Sequence, residues 1–333
     1  SANVMNGVAD FAKNADDTSK QSQTDATNQA IYTGYNNASE GYDAQISGTA
    51  DSTNTNVAYV AGVQMAVDRA NGIAAAIANP NATASGSAAE VAAFNATIAG
   101  YKDVINGTTT GQTPDSNDTA QTKVYLDSYG QAQSTASTSA SNGAQAFVQN
   151  TGKPASGSDY NSIATLAGYN QAKSGHDDFV ANKSAQSSTA AYMTGYNAAK
   201  SAASGLADAQ NATNSGQGTA QDANAYGDAQ TAYIDAFNYV TAHPQDTAAQ
   251  SFANKSTAYN DSYNAAKTYL QGQYVAGQNQ FVSQYANGNN SANLSGVAST
   301  QAQTLVNQGF NDMLSGYNES ISGNNLNGSA SSS

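Results

Sequence analysis

The chain of 333 residues contains no cysteine and no tryptophan, and only 11% of its residues are charged. The absence of cysteine excludes a disulfide framework and thiol chemistry. A typical soluble domain carries about 25% charged residues, so amides and hydroxyls must cover much of this protein's surface. The formal net charge of −13 argues against binding to nucleic acid or to anionic membrane surfaces, because both rely on clustered lysine and arginine.

Motifs for catalysis and cofactor binding are also missing. The sequence has no Gly-x-Ser-x-Gly elbow, phosphate-binding loop or dinucleotide-binding fingerprint. His176 and His243 lie 67 residues apart and lack neighbours at metal-binding spacing, so we expect both to be exposed near helix ends. No apolar run approaches the roughly 20 residues that cross a bilayer. The sequence therefore predicts no enzymatic activity, no cofactor, no metal site and no membrane insertion.

An aromatic motif recurs about every 67 residues, and it has two interleaved forms. In the first form, single rings follow one another at steps of 66, 68, 68 and, more loosely, 73 residues: Tyr35, Tyr101, Tyr169, Phe237 and Phe310. In the second form, with steps of 66, 67 and 67, a tyrosine precedes a second large residue by four positions: Tyr59 and Val63, Tyr125 and Tyr129, Tyr192 and Tyr196, Tyr259 and Tyr263. Two series with one period predict an array of a duplicated unit, in which these rings are structural.

The spacing of apolar residues within each unit is helical. Around the second motif, apolar side chains follow at alternating steps of four and three: Tyr59, Val63, Ala66, Ala70, Ile73 and Ile77. The four prolines fall between such stripes, where helices are interrupted: Pro80, Pro114, Pro154 and Pro244. The pattern predicts helices at 24–47, 53–78, 88–107, 117–149, 158–182, 186–212, 219–242, 247–286 and 298–321.

We therefore expect an all-α protein in which helix pairs, joined by short turns, repeat in tandem as an elongated antiparallel array. The array could be an α-solenoid or a series of bundles. The predicted division is 1–23 as a partial or preceding unit, four repeats at 24–87, 88–157, 158–218 and 219–297, a terminal half repeat at 298–322, and a flexible Ser-rich linker at 323–333.

Glycine stands directly before the tyrosine in four of these motifs, at Gly34, Gly100, Gly168 and Gly195. We interpret the glycine as a point where a neighbouring backbone approaches, while the ring fills the space beside it. The tyrosine hydroxyl is expected to reach either water or the asparagine that often follows the ring. Tyrosines beside the helical stripes are instead candidates for an exposed surface that binds ligand, since sugar sites use ring faces. These candidates are Tyr32, Tyr239, Tyr269 and Tyr274.

Two segments, Ala191–Lys200 and Ala258–Lys267, share the pattern Ala-Tyr-x-x-x-Tyr-Asn-Ala-Ala-Lys. Together with the repeats rich in Ala, Ser, Thr, Asn and Gln, they resemble the ectodomain repeats of large cell-wall-anchored proteins of lactic acid bacteria and related Gram-positives. The resemblance covers nearly the whole chain, although no Leu-Pro-x-Thr-Gly sorting motif is present.

The resemblance implies an extracellular, cell-wall location and a role in adhesion, aggregation or biofilm formation, with no catalytic residues. The expected partners are carbohydrates, mucin or matrix proteins, or further copies of the chain. The alternative is a purely structural stalk or self-associating scaffold that projects another domain. The low charge also predicts that mild acid disturbs the fold only weakly, because few carboxylates change their charge.

Overall fold

A computed structural model describes residues 2–14, 25–107, 122–285, 288 and 290–322. These residues form ten α-helices and no strand, which confirms the predicted all-α class. The predicted helix start at 117 and the predicted linker 323–333 lie outside the described residues. The helices are α1 (Ala2–Ala12), α2 (Ala26–Ile46), α3 (Val57–Ala78), α4 (Ala88–Ile105), α5 (Lys123–Val148), α6 (Tyr160–Val180), α7 (Ala190–Asn211), α8 (Ala223–Ala242), α9 (Thr257–Gln284) and α10 (Thr300–Ile321).

Polar side chains begin the helices by accepting hydrogen bonds from backbone N–H groups of the first turn. Ser87 does so at α4, where the Glu90 side chain accepts in return from the Ser87 backbone, forming a capping box. Asp159 accepts from the Ser162 backbone at the start of α6. Further side-chain caps are Asp25, Asn56, Thr122, Asp222, Ser256 and Ser299.

Consecutive helices pack against each other. The contacts between α8 and α9 and between α3 and α4 show that these two pairs run parallel, so the predicted antiparallel direction is wrong for them. Near the start of both α8 and α9, Ser256 Oγ donates to Asp228. Eleven residues further along each helix, Lys267 Nζ lies 4.8 Å from the Tyr239 ring centre. Antiparallel helices would reverse this order. In the same way, the Ser87 cap of α4 contacts Asp68 in the middle of α3, not its end.

The connections are return segments that lead back along the helix. A helix of 22 residues such as α3 is about 33 Å long. An extended connection covers at most about 3.3 Å per residue, so the ten residues 47–56 are long enough to lead back along much of the helix. The prediction of short turns is wrong for this connection, because two parallel neighbours need a connection that leads back along the first helix.

The return segment before α9 also corrects a predicted helix boundary. Residues 247–256 were expected to be helical, yet α9 begins at Thr257. The Asn264 side-chain amide accepts from the Gln250 backbone N–H at 2.9 Å and donates to the Gln250 carbonyl at 2.8 Å. Asn260 makes the same two bonds to Phe252. These amides satisfy the extended backbone in place of helical hydrogen bonds.

The chain divides into two compact units, and each has its own core. Unit 1 comprises Ser1–Gln145, Lys153–Gln171 and Ser187–Ala191, and unit 2 comprises Ala146–Gly152, Ala172–Gln186 and Tyr192–Ser333. In unit 1 the core is built around buried rings such as Phe11, Tyr42 and Tyr101. In unit 2 it includes Tyr233, Tyr259 and Leu270. Each predicted repeat contains two of the observed helices, while its boundaries stay a prediction.

Glycines bring neighbouring helix backbones into direct contact, as expected for Gly34, Gly100, Gly168 and Gly195. A Cβ atom added at any of these four positions would lie under 3.0 Å from a backbone atom of the adjacent helix. Many of these contacts are reciprocal, because each glycine meets the backbone three residues before its partner glycine. The reciprocal pairs are Gly7 with Gly34, Gly41 with Gly62, Gly143 with Gly168, Gly175 with Gly195, and Gly277 with Gly309.

Candidate functional site

The tyrosines of the repeat motif face the protein interior. All eleven positions predicted to be structural are buried or half-buried: Tyr35, Tyr59, Tyr101, Tyr125, Tyr129, Tyr169, Tyr192, Tyr196, Phe237, Tyr259 and Tyr263. Several are stacked in pairs along one helix, for example Tyr259 and Tyr263 with ring centres 6.2 Å apart. These rings therefore contribute packing and present little surface to a ligand.

Tyrosine hydroxyls at the rim of this core donate hydrogen bonds to aspartates, and we call these contacts the Tyr–Asp pairs. Tyr274, for example, donates to Asp312 of the neighbouring helix at 2.9 Å. The acceptor in these contacts is thus aspartate. Tyr101 donates to an asparagine, Asn161, but this residue lies 60 positions away in the sequence and is not the adjacent asparagine that was expected. The pairs are Tyr42–Asp127, Tyr129–Asp103, Tyr192–Asp178, Tyr226–Asp208, Tyr239–Asp246, Tyr259–Asp235 and Tyr274–Asp312.

Hydrogen bonding keeps several of these aspartates ionised. Two hydrogen bonds to Asp246, the stronger effect coming from the Tyr239 hydroxyl and the next from the Ala248 backbone N–H, lower its pKa to about 2. Thr213 and Tyr226 lower the pKa of Asp208 well below its usual range. The phenol responds in the opposite sense, since burial and Asp208 raise the pKa of Tyr226 to about 12. Both groups of this pair keep their protonation states from mildly acidic to mildly basic pH.

The four tyrosines predicted to bind ligand occupy different surroundings. Tyr274 is only 4% exposed and belongs to the unit 2 core, so the expectation that it is exposed is wrong. Tyr239 and Tyr269 are half-buried and pack against that same core. Tyr32 is half-buried on α2 in unit 1. The structure does not bring the four together in one site, and their role in ligand binding stays a prediction.

A groove in unit 2 has a volume of about 430 Å³. Its apolar surface comes from the end of α6 and the middle of α7, including Phe179, Val180 and Leu206. Its polar rim comes from His176 and from Asp261 of α9. The sequence did not reveal this groove, because its residues lie on three separate helices and several are alanines without any motif.

His176 is the titratable group at the centre of this rim. Only 15% of its side chain is exposed, so the prediction that His176 is exposed is wrong. His243, at the end of α8, is exposed as predicted. His176 Nε2 lies 2.8 Å from Asp261, and Nδ1 lies 3.3 Å from Asp177. Burial lowers the pKa of His176, but these two carboxylates outweigh it, and the net pKa is raised.

The described residues contain no cluster of three or more histidine and acidic side chains that could hold a metal ion. No helix in the described ranges is both long enough and apolar enough to cross a membrane. No protein family, curated protein or solved structure matches the chain. The groove and the Tyr–Asp pairs are therefore the features from which a function has to be inferred.

Proposed function

We propose that this chain is a non-enzymatic structural segment of an extracellular, cell-wall protein. In this role its helical array serves as a stalk or self-associating scaffold that projects other parts of the protein. The observation that supports this role most strongly is the use of the aromatic rings. The repeated tyrosines pack in the core. Among the described residues, seven tyrosine hydroxyls bind aspartates, and three of them, from Tyr129, Tyr192 and Tyr259, belong to the repeat motif.

The response of the charged groups to acid also supports a role outside the cell, where the medium can be acidic. A carboxyl whose folded-state pKa is lowered contributes stability above its unfolded pKa of about 3.9 and loses it only as the pH falls through the lowered value. Asp208 and Asp246 are of this kind. A histidine with a raised pKa contributes fully below about pH 6.5, and His176 is of this kind. Mild acid therefore preserves these contacts.

The proposal is tested by exposing the purified chain to immobilised glycans, mucins and matrix proteins at neutral and mildly acidic pH. Circular dichroism first shows that the sample is folded and helical. We expect no saturable binding to these surfaces. Binding that saturates and is competed by free sugar would contradict a purely structural role.

A second candidate function is adhesion to carbohydrate, and the groove on unit 2 favours it. Its volume of about 430 Å³ lies in the range of small-molecule sites, and His176 and Asp261 supply polar groups for sugar hydroxyls. If the immobilised surfaces do bind the chain, Ala203→Gln should reduce binding, because Ala203 is an exposed residue of the groove. Ala207→Gln is the matched control, since Ala207 is also exposed on α7 but does not line the groove.

A further inference from the structure

Helix α2 has two packing sites that lie seven residues apart. At the first, Gly34 meets the backbone of α1. At the second, Gly41 meets the backbone of α3 at Tyr59. The tyrosines that follow these glycines, Tyr35 and Tyr42, each place their ring centre 5.5 Å from the ring of Phe11 in α1. One helix thus binds its predecessor through the first site and its successor through the second.

Helix α10 carries the same two sites at the same spacing. Gly309-Phe310-Asn311 corresponds to Gly34-Tyr35-Asn36, and Gly316-Tyr317 corresponds to Gly41-Tyr42. Gly309 meets the backbone of α9, as Gly34 meets α1. The ring contacts agree as well, because Phe281 of α9 lies 5.6 Å from Phe310 and 5.9 Å from Tyr317.

The second site of α10 is open. An added Cβ at Gly316 would have no atom within 4 Å, whereas the glycines of the five other Gly-Tyr dipeptides in the sequence all meet a neighbouring backbone. Tyr317 is 44% exposed, while its counterpart Tyr42 is completely buried. Ile321, one turn further along α10, is 65% exposed. An apolar surface with a glycine at its centre therefore continues an interface that is occupied elsewhere in the chain.

We propose that the face of α10 formed by Gly316, Tyr317 and Ile321 is a docking site for one further helix with the chemistry of α3. Such a helix is rich in alanine and carries a glycine at the contact, as Gly62 does in α3. Gly62 meets the backbone of Ala38, three residues before Gly41. The glycine of the docking helix would likewise meet the backbone of Met313, three residues before Gly316. A helix bound at this site would add one further member to the array after α10. The proposal rests on packing geometry and does not depend on a location at the cell surface.

The test uses the full chain and a fluorescently labelled synthetic peptide of residues 54–79, which contains α3 and its Asn56 cap. Fluorescence anisotropy is measured as the chain is added to the peptide. We expect saturable binding with a dissociation constant below about 1 mM. No binding up to that concentration would overturn the proposal.

A glycine substitution in the full chain locates the binding site. Gly316→Ala should weaken binding at least tenfold, because a methyl group would hold the two backbones apart. Gly227→Ala is the matched control, since Gly227 is also in a helix and has no neighbour within 4 Å of an added Cβ. Equal binding by wild-type chain and Gly316→Ala would place the peptide elsewhere, on unit 1 for example, and would overturn the proposal.

Two peptide variants separate packing from helix propensity. Gly62→Ala and Gly72→Ala each raise helix propensity by a similar amount. Only Gly62 meets α2 in the chain, whereas Gly72 meets α4. We expect Gly62→Ala to abolish binding and Gly72→Ala to retain it. Sedimentation of the chain alone tests whether a second copy of the chain occupies this face. A wild-type dimer that the Gly316→Ala substitution dissociates would show that it does, and would overturn the assignment to an α3-type helix.

Discussion

Gly272 and Gly277 lie five residues apart on α9 and provide a matched test of close backbone packing. At Gly272, an added Cβ has nothing within 4 Å. At Gly277, it would lie 2.8 Å from the Val306 carbonyl carbon and 2.9 Å from the Phe310 nitrogen of α10. The same substitution, glycine to alanine, therefore meets open space at one position and a neighbouring backbone at the other.

The expected free energies of unfolding change in opposite directions. Gly272→Ala should stabilise the protein by about 1 kcal/mol, because alanine loses less conformational freedom in a helix. Gly277→Ala gains the same helix propensity, but α9 and α10 must separate to accommodate the methyl group. Overpacking costs about 1–3 kcal/mol, and the upper end applies because a backbone cannot rotate away as a side chain can. The net result should be a loss of about 2 kcal/mol.

Urea unfolding followed by circular dichroism measures both effects. If unit 1 and unit 2 unfold in separate transitions, only the transition of unit 2, which contains α9 and α10, should shift. An unchanged slope of free energy against urea would show that stability itself has changed. The reasoning would be refuted if Gly277→Ala stabilised the protein as much as Gly272→Ala does.

Three further changes test other contacts. Tyr274→Phe removes a hydrogen bond to Asp312 and should lower the free energy of unfolding by about 1.5–3 kcal/mol. Tyr317→Phe, at an exposed tyrosine, should lower it little. Equal losses for the two variants would show that the hydrogen bond of the Tyr–Asp pair does not stabilise the protein. His176→Gln should reduce the gain in stability of unit 2 between pH 8 and pH 5, because the raised pKa of His176 makes its contribution largest in acid, and an unchanged pH profile of urea unfolding would contradict this. Asn264→Ala should release the segment around Gln250 and increase the rate at which a protease at low concentration cleaves it. Asn197 occupies the position in the segment Ala191–Lys200 that Asn264 occupies in Ala258–Lys267, and Asn197→Ala should leave this cleavage rate as in wild type.

The helices could be predicted because their signal is local. A stripe at steps of three and four, such as Tyr59 to Ile77, can bury one face only as a helix, and α3 ends within one residue of the last position of that stripe. Glycine before tyrosine likewise indicated close packing, because only glycine leaves room for a neighbouring backbone. These inferences need no knowledge of which segments meet.

The direction of the helices and the start of α9 could not be predicted in this way. A repeat period is the same for parallel and antiparallel arrays, and the ten residues between α2 and α3 are enough for either path. The segment from 247 to 256 is rich in alanine and looked helical. It is extended because Asn260 and Asn264, which follow it in sequence, bind its backbone.

The candidate site depended most on tertiary structure. The groove combines Phe179, Leu206 and Asp261 from three helices, and no spacing in the sequence connects them. Tyr274 was interpreted as exposed from its place beside a stripe, yet α10 covers it and supplies Asp312 as its hydrogen-bond partner. The sequence by itself determined the all-α class, the repeat and the glycine contacts, since these follow from local spacing and residue size. Only the tertiary structure decided helix direction, the burial of particular rings and the groove, because each depends on which distant segments pack together.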